Sequence, residues 1–471
     1  MTNEGCYIII KMFILRNYLN TEGSMNKNKN VLMILYYFPP IAGSGVQRSL
    51  KFTKYLSKFG YTPIIETVKD GHNYAYDNSL FSELDKDLKI YRSNSGETLW
   101  LRNIIEKVSS SLIKRKKSAN GSNEGNNSAK SISIKQKIFD FIDIKFFIPD
   151  SKVRWYYHGL KDVRKIVKNE KIHCIYSSSK PYTSHLIAME IKKETNLPWV
   201  ADFRDPWVGN VIITKDHSEK RKQKEAKLER EVIKYADKVI MVTEPITEMY
   251  KDRYPEYASK FYTITNGFDS DDFINIKPVE EEKFVICYTG ILIKGHNPQT
   301  LILALKRFFE ENPQAKNKIC VKFIGYIVDE YRDMMCNSDI KENIEILPYM
   351  THSECIAYMK ASAINLMILE DMEASKTVFT GKIFDYIGAE RPILGILPQD
   401  GVASEVINNN NIGHSYNHGD VEGVYNFIKE NYNKWENNEQ LNTNSMEKCN
   451  EFHRLNLTSK LASLFDETIN I

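Results

Sequence analysis

The sequence predicts an α/β protein built from two Rossmann-like, doubly wound parallel-sheet domains that face a central cleft. Apolar, β-rich runs alternate with helical patterns: the run at 31–38 is followed by helical spacing over 46–59 and by a second run at 61–68. This alternation is typical of a parallel sheet with helices on both faces. It resumes after residue 170, and a second series begins beyond the polar segment 278–282, which indicates two domains. Such folds bind ligands at the carboxyl ends of their strands, so the cleft is the predicted site.

The remaining predicted strands are short, continuous apolar runs, as expected for strands that are buried on both faces. In the first domain, strand patterns lie at 172–177, 199–203, 238–243 and 261–265, and helical patterns at 182–195, 218–235 and 246–250. In the second domain, strand patterns lie at 284–289, 319–324, 344–347, 363–368 and 393–397, with a helical pattern at 300–309.

These patterns divide the chain into segments. We expect 1–24 to be a disordered or mis-called extension before Met25, although a short interfacial anchor is the alternative. Residues 25–278 form the first domain, with a basic insertion at 94–150, and 279–440 form the second. Residues 441–471 have roughly helical spacing. The polar linker 278–282 is the expected hinge.

The composition limits the classes of function. The 471 residues carry 64 Lys and Arg against 61 Asp and Glu, a net charge of +3, which argues against a dedicated nucleic-acid binder. The seven cysteines show no C-x-x-C spacing, which argues against a disulfide framework and against a thiolate zinc site. Such cysteine usage fits a reducing cytoplasm. The ten histidines show neither H-x-x-x-H nor H-E-x-x-H spacing, so we expect no metal site.

The insertion concentrates basic charge. Residues 99–171 contain 17 Lys and Arg against 7 Asp and Glu, which gives +10. Trp100, Phe146 and Phe147 lie within the same stretch. Basic charge beside apolar helices favours an anionic membrane surface, so we expect peripheral binding there. The alternative is a solvated insertion between two ordinary amphipathic helices.

Two motifs of the first domain follow predicted strands. Gly43, Ser44 and Gly45 stand between a strand and a helix, where backbone N–H groups and the helix dipole favour an anion, although a tight turn explains them equally. Asp202, Arg204 and Asp205 follow another strand, where such charges are unfavourable unless they pair or bind something. Asp202 or Asp205 could contact substrate hydroxyls, and a structural pair with Arg204 is the alternative. His185 is predicted near the same sheet edge, and a lone histidine is more often structural.

Two motifs of the second domain could bind a phosphate. Gly290 ends its first predicted strand, and Lys294 follows shortly. Gly381 and Lys382 begin a later helix, where amides and a point charge suit a phosphate. Asp385, about one turn further, could accept hydrogen bonds from ribose hydroxyls, although a plain surface pair with Lys382 is the alternative.

These motifs, taken in order, resemble retaining glycosyltransferases of family 4, which have the GT-B fold. The matching segments are 37–45, 198–207, 265–273, 288–290 and 381–392. The resemblance implies a nucleotide-sugar co-substrate, UDP- or GDP-linked, bound mainly by the second domain, with no other cofactor and no metal. It also implies that the acceptor lies against the first domain and that the C-terminal segment is a helix packing back toward that domain.

The resemblance also assigns roles to residues. In the second domain, Lys382 and Lys294 match the diphosphate contacts, Asp385 matches the ribose contact, and Gly290 and Gly381 belong to the same donor-binding motifs. In the first domain, we predict Gly43, Ser44 and Gly45 as further donor contacts, Asp202, Asp205 and His185 as catalytic residues, and Arg204 and Trp207 as acceptor contacts. Two positions depart from the family: Thr377 stands where an acid is usual, and Ile291 where a basic residue is common.

The expected activity is hexosyl transfer to a glycan or polyprenyl-linked acceptor in surface polysaccharide biosynthesis. The expected location is the cytoplasm, at the inner face of the cell membrane. One alternative is a nucleotide-sugar epimerase of the same fold, although the acidic and histidine clusters typical of epimerases are not found. Another is a non-catalytic carbohydrate-binding scaffold, which Thr377 favours.

Overall fold

The computed structural model describes residues 28–69, 71, 76–96, 147–209 and 217–470. Within them, the chain forms two parallel sheets of seven and six strands with helices around each, which confirms the predicted fold class. Residues 1–24 and most of the basic insertion, 97–146, lie outside the described residues.

The first sheet has the strand order β3-β2-β1-β4-β5-β6-β7. Its strands are β1 (Lys29–Ile34), β2 (Tyr61–Val68), β3 (Lys89–Ser93), β4 (Cys174–Ser178), β5 (Trp199–Arg204), β6 (Lys238–Met241) and β7 (Phe261–Thr263). Its helices are α1 (Ser44–Leu56), α2 (Trp155–Asn169), α3 (Thr183–Thr195), α4 (Glu219–Tyr235) and α5 (Glu244–Arg253). The central strand β1 is fully buried over 31–34, as its run of large apolar residues requires.

The second sheet has the order β10-β9-β8-β11-β12-β13. Its strands are β8 (Phe284–Thr289), β9 (Ile319–Ile324), β10 (Ile344–Leu347), β11 (Ile364–Ile368), β12 (Ile393–Ile396) and β13 (Gly413–Tyr416). The helices from the domain junction onward are α6 (Asp271–Ile274), α7 (Gln299–Glu311), α8 (Asp329–Cys336), α9 (His352–Ala361), α10 (Glu373–Lys376), α11 (Gly381–Ala389), α12 (Val402–Asn409), α13 (Val421–Glu436), α14 (Ser445–Lys448) and α15 (Arg454–Ile469).

The strand order reverses between β1 and β4 in the first sheet and between β8 and β11 in the second. A crevice forms at such a switch point, beyond the carboxyl ends of the strands, and ligands of doubly wound folds bind there. The predicted motif at 43–45 lies where the loop after β1 leads into α1, and Gly290 directly follows β8. The topology therefore places both motifs at ligand-binding edges.

Two chain segments cross between the domains and pair with each other. The Phe268 N–H donates to the carbonyl of Phe452 over 3.1 Å, and the Arg454 N–H donates to the carbonyl of Phe268 over 2.9 Å. Gly267 is required here, because an added Cβ would lie 1.9 Å from the Phe452 oxygen. Beyond this crossing, Leu461 and other apolar residues of α15 join the core of the first domain.

The segment after Gly267 is fixed to both domains. Phe273 packs into the core of the second domain, where a Cβ on Gly388 would lie 2.1 Å from its ring. Asp269 instead faces the first domain, where it accepts hydrogen bonds from Tyr55 Oη at 2.7 Å and Lys54 Nζ at 2.8 Å. The linker 278–282 also contacts the second domain, since the Val279 N–H donates to the carbonyl of Ala357.

A buried acid in the first sheet makes stability depend on pH. Glu66 on β2 is fully buried, accepts a hydrogen bond from Ser93 Oγ, and has no partner for Oε2 among the described residues. Burial raises its pKa from 4.5 to about 8. The folded state therefore holds a proton that the unfolded chain releases above about pH 4.5, so the free energy of unfolding falls as pH rises toward 8.

We expect Glu66→Gln to remove this pH dependence. The variant should match the wild type near pH 4.5 and exceed its free energy of unfolding increasingly up to pH 8, by at most about 5 kcal/mol. Denaturant titrations at several pH values measure the difference, with exposed Glu219→Gln as the control. A constant difference across this range would contradict a neutral, buried Glu66.

Candidate active site

The first domain contributes a small polar pocket to the cleft. Gly43 has φ 113°, a conformation that favours glycine, and it directly precedes α1. The Arg204 guanidinium lies over the start of α1, where Nη1 donates to the carbonyl of Gly45 over 2.9 Å. The pocket is lined by Leu35, Tyr36, Tyr37, Gly45, Ser49, Ser178, Ser179, Lys180 and Arg204. Two cations and the amino end of a helix thus meet at one edge, an arrangement that favours an anion.

Asp202, a predicted catalytic residue, is instead part of a buried ion pair. Its carboxylate is 0% exposed and accepts from Arg48 Nε at 2.8 Å and Arg48 Nη2 at 2.9 Å. Tyr176 Oη and Ser178 Oγ also donate to it, at 2.6 and 3.0 Å. Burial favours the neutral acid, but Arg48 and Tyr176 outweigh it and lower the pKa of Asp202. This placement gives Asp202 a structural role and argues against contact with substrate.

His185 is also buried within the first domain. Ser177 Oγ accepts from Trp199 Nε1 at 2.9 Å and lies within hydrogen-bond distance, 2.8 Å, of His185 Nδ1. The other ring nitrogen, Nε2, is buried and has no partner among the described residues. Burial lowers the pKa of His185 to about 3, and the ring stacks on Phe203. This environment argues against the predicted catalytic role, because a base at neutral pH needs access to substrate.

The other residues of the 202–207 motif divide between cleft and core. Asp205 stays half exposed and lies 3.4 Å from Lys180 Nζ, so its carboxylate is accessible at the pocket. Trp207, a predicted acceptor contact, is 2% exposed and stacks on Tyr182 with 4.5 Å between ring centroids. Arg204 remains at the pocket, with φ 56° and with Nε unpartnered among the described residues.

The second domain brings Lys382 and Gly290 together across 92 positions of sequence. A Cβ on Gly290, where φ is 104°, would lie 2.9 Å from Lys382 Cε, so glycine leaves room for the lysine. Lys382 Nζ donates to Tyr288 Oη over 2.7 Å and has no carboxylate within 4.0 Å among the described residues. Burial lowers the pKa of Lys382 to about 8. The result is a largely buried ammonium without a counterion, at the amino end of α11.

Lys294 lies further out, exposed on the loop that follows β8. The adjacent Gly295 has φ 96°, and Glu370 packs so close that an added Cβ would meet its carboxyl carbon at 2.4 Å. Thr377, which stands where the family has an acid, bonds through Oγ1 to the carbonyl of Ala374. Its carbonyl accepts from Thr243 Oγ1 of the first domain over 2.6 Å, so this loop bridges the cleft.

Sequence patterns did not indicate two further groups beside Lys382. His296 Nδ1 and Thr380 Oγ1 are buried without partners among the described residues. Burial lowers the pKa of His296 to about 4, and the charge of Lys382 adds to the effect. A single histidine or threonine in a loop gives no periodic signal, so only the assembled site reveals them. Unpaired polar atoms of this kind are the groups that a bound ligand could satisfy.

Asp385, the predicted ribose contact, forms an ion pair with His352. The distance from His352 Nε2 to Asp385 Oδ1 is 3.0 Å, and both side chains remain partly exposed. Burial disfavours the imidazolium, but the carboxylate of Asp385 outweighs it and raises the pKa of His352. The Asp385 carboxylate is 32% exposed and therefore accessible, as a contact to hydroxyl groups requires.

We expect Asp385→Asn to weaken binding of the nucleotide sugar by about tenfold, since a hydrogen bond to a charged group contributes about 1.5–3 kcal/mol. Calorimetric titration with the donor measures this change. His352→Gln is the matched control, because it breaks the same ion pair but keeps the carboxylate. An unchanged donor affinity in Asp385→Asn would contradict the ribose contact.

One group of carboxylates among the described residues has a spacing that could hold a metal ion, namely Glu83, Asp269 and Asp272. Lys51 lies among them, with Nζ 2.6 Å from Glu83 and 3.0 Å from Asp269, and it also contacts Asp272. An ammonium thus already occupies the centre of this group and neutralises part of its charge. The cluster joins α1 to the domain crossing and carries no argument for a metal.

Comparisons with known proteins agree with this fold. A sequence model described as glycosyltransferase family 4 matches residues 129–272, which include the 202–207 motif. A search of curated proteins gives no match. A solved glycosyltransferase from Rickettsia africae is 16% identical, with a TM-score of 0.57 and coverage of 94% of this chain and 99% of the other.

Two further solved structures share the fold. HepE of Anabaena in complex with UDP-glucose is 12% identical, with a TM-score of 0.55 and coverage of 93% of this chain and 99% of the other. WaaG, a glycosyltransferase involved in lipopolysaccharide biosynthesis, is 12% identical, with a TM-score of 0.53 and coverage of 92% and 99%. The family 4 model thus matches part of the first domain, and the solved glycosyltransferases share the two-domain GT-B fold of this chain.

Proposed function

We propose that this chain transfers a hexose from a UDP- or GDP-linked donor to a glycan or polyprenyl-linked acceptor, with retention at the anomeric carbon. The observation that carries this proposal is Lys382, a largely buried ammonium at a helix amino end with no carboxylate within 4.0 Å among the described residues. A buried cation is costly without an anion, and a donor diphosphate would supply one. HepE, which binds UDP-glucose, has the same fold.

The chemistry follows from where charge develops. When the sugar leaves, negative charge grows on the departing diphosphate, and a fixed cation and helix amides aimed at it stabilise that charge. Lys382 and the amino end of α11 would do this from the second domain. The start of α1 at Gly45 and the Lys180 ammonium would face the same region from the first domain. Asp205 is the accessible carboxylate at that edge and could contact an acceptor hydroxyl.

The acceptor class is supported by similarity to other glycosyltransferases. The resemblance to family 4 and the shared fold of WaaG, which is involved in lipopolysaccharide biosynthesis, support a role in surface polysaccharide synthesis. The proposed reaction needs no metal ion, because lysine and helix amides stabilise the leaving group. We expect transfer to be insensitive to a chelator such as EDTA.

A donor screen followed by product analysis tests this function. Thermal shift with a panel of UDP- and GDP-sugars should identify one stabilising donor, and labelled sugar should then appear in a lipid-linked or oligosaccharide product. Incubation with the donor alone should leave the sugar unchanged. An epimerised sugar without acceptor would favour the epimerase, and donor binding without transfer to any acceptor would favour a binding scaffold.

We also propose that the chain associates with an anionic membrane surface through its basic insertion. No helix among the described residues is long and apolar enough to span a membrane. The +10 charge of residues 99–171 supports surface binding, since each basic residue near anionic lipid adds about 1 kcal/mol. Most of this stretch lies outside the described residues.

We expect the wild type to sediment with vesicles that contain anionic lipid at low salt, and to be released at high salt. Replacing the four basic residues 114–117 by Gln should abolish sedimentation, because screening and charge removal act on the same attraction. Replacing four exposed lysines of the second domain is the control. A wild type that ignores anionic vesicles at low salt would contradict the membrane role.

A further inference from the structure

Three polar groups near the domain crossing have no hydrogen-bond partner among the described residues. They are Arg204 Nε, Thr265 Oγ1 and Arg454 Nη1, and all three atoms are buried. Arg204 belongs to the first-domain pocket, whereas Thr265 and Arg454 lie on the two chain segments that cross between the domains. Buried polar atoms of folded proteins are nearly always satisfied, so three such atoms in one region point to a ligand.

Hydrogen bonds place these groups around the start of α1. Arg204 Nη1 donates to the carbonyl of Gly45 at 2.9 Å, within the first turn of that helix. Arg48, one turn further on, donates from Nη1 to the carbonyl of Thr265 at 2.6 Å. The Arg454 N–H donates to the carbonyl of Phe268, three residues beyond Thr265. The charges of Arg48 and Arg204 act on the Arg454 guanidinium, so the C-terminal segment brings a third guanidinium into the region of these two arginines.

The carboxylates nearest in charge to Arg204 and Arg454 are already paired with other side chains. Asp202 already forms a bidentate ion pair with Arg48. Asp272 and Asp269, the acids of the crossing segment that act on Arg454, are also paired: Asp272 contacts Lys51, and Asp269 accepts from Lys54 at 2.8 Å and from Tyr55. Neither Arg204 nor Arg454 has a carboxylate within 4.0 Å in the described part of the chain.

Arg454 is 6% exposed. Burial, together with the charges of Arg48 and Arg204, lowers its pKa to about 9, and the charges of Asp272 and Asp269 offset only part of this effect. A buried guanidinium without an anion in contact is unfavourable, because it has lost hydration that more distant carboxylates replace only in part. An anion that enters here would receive donors from two planar guanidinium groups.

We propose that Arg454, together with Arg204, binds a phosphate group of a substrate on the first-domain side of the cleft. The proposal rests on the glycosyltransferase function proposed above, in which both donor and acceptor can carry phosphate. Guanidinium groups match phosphate geometry and bind it in a bidentate manner, and the amino end of α1 favours the same charge. Thr265 Oγ1 adds a hydroxyl donor. The phosphate could come from the donor diphosphate or from a lipid-linked acceptor.

Arg454→Gln tests this site, and Lys460→Gln is the matched control, because Lys460 is an exposed cation on the same helix. We expect Arg454→Gln to weaken binding of inorganic pyrophosphate in calorimetric titration by about tenfold or more, and Lys460→Gln to leave it unchanged. Without ligand, Arg454→Gln should melt at the wild-type temperature or higher, because it removes a buried, unpaired charge. Arg454→Lys, which keeps the charge, should recover part of the affinity.

Three probes distinguish the source of the phosphate. If Arg454→Gln weakens UDP or GDP binding but not binding of the nucleoside, the site holds the donor diphosphate. If nucleotide binding is unchanged but geranyl diphosphate binds more weakly, the site holds the acceptor phosphate. A lower melting temperature with unchanged affinity for all of these probes would overturn the proposal and leave Arg454 a structural residue.

Thr265→Ala is the second variant, in case Arg454→Gln does not fold. It removes one hydroxyl and no charge, so we expect a few-fold loss of pyrophosphate affinity, and an unchanged affinity would count against the site. Pyrophosphate binding does not depend on sugar transfer. The experiments can therefore refute the proposed anion site without refuting sugar transfer, and can refute sugar transfer without refuting the anion site.

Discussion

Lys382→Ala should reduce the rate of sugar transfer by about 10²–10³-fold while the fold remains intact. The lysine is the second-domain cation beside Gly290, and its loss leaves charge on the departing diphosphate without a stabilising partner. Removing an uncompensated buried ammonium should not lower the free energy of unfolding. Steady-state kinetics and thermal melting of the same preparations measure both effects.

The matched control is Lys318→Ala, which removes an exposed lysine of the second domain that pairs with Glu436. It should leave the kinetics unchanged. The pKa of about 8 for Lys382 also predicts the direction in which donor affinity changes with pH. In the free protein the ammonium is charged below this pH and neutral above it. Donor affinity should therefore weaken as pH rises through 8, and Lys382→Arg should reduce this dependence. Unchanged kinetics in Lys382→Ala would remove Lys382 from the donor site.

Asp202→Asn should lower the free energy of unfolding by about 3–5 kcal/mol, because it leaves the Arg48 guanidinium buried without its carboxylate. Both side chains are at most 1% exposed, so water cannot replace the lost interaction. Denaturant unfolding measures the loss. Asp205→Asn is the control, since that carboxylate is 46% exposed and should change stability by no more than about 0.5 kcal/mol.

A double variant separates the ion pair from the aspartate itself. Arg48→Met combined with Asp202→Leu should be more stable than Asp202→Asn alone, because no unpaired charge remains in the core. If Asp202→Asn kept the wild-type stability and lost transfer activity selectively, the carboxylate would be catalytic, as the sequence pattern suggests, and its structural role would be wrong.

The sequence predicts the two-domain fold well because buried parallel strands are continuous apolar runs. The run at 284–289, for example, coincides with β8. The edge strand β3 (Lys89–Ser93) was not predicted, because its sequence KIYRS is half polar and its side chains stay partly exposed. Edge strands contact only one neighbour and need less apolar surface.

The candidate site could be predicted only in part, because local patterns do not show distant partners. The motif containing Asp202 gave three charges after a strand, yet Arg48, which neutralises Asp202, lies 154 residues away. His185 and Trp207 occupy predicted positions along the chain, but packing turns both into the core. Gly290 and Lys382 were predicted separately from helix and strand ends, and the topology of the second sheet brings them together.

Arg454 also could not be predicted as a site residue from the sequence. Nothing in the C-terminal sequence marks it, because an arginine at the start of a helix is ordinary. Its role becomes visible only when the crossing segments pair and bury its guanidinium beside the first domain. The hinge expected at 278–282 remains a prediction. The pairing of Phe268 with His453 suggests that any domain motion also involves this crossing.

A crystal structure with the nucleoside diphosphate product tests the central claim most directly, since it locates the leaving group. We expect the diphosphate in the cleft, with an oxygen within hydrogen-bond distance of Lys382 Nζ and of the amides at the start of α11. The ribose hydroxyls should contact Asp385. A nucleotide bound outside the cleft, or bound in it with Lys382 Nζ still directed only at Tyr288, would contradict the proposed donor site.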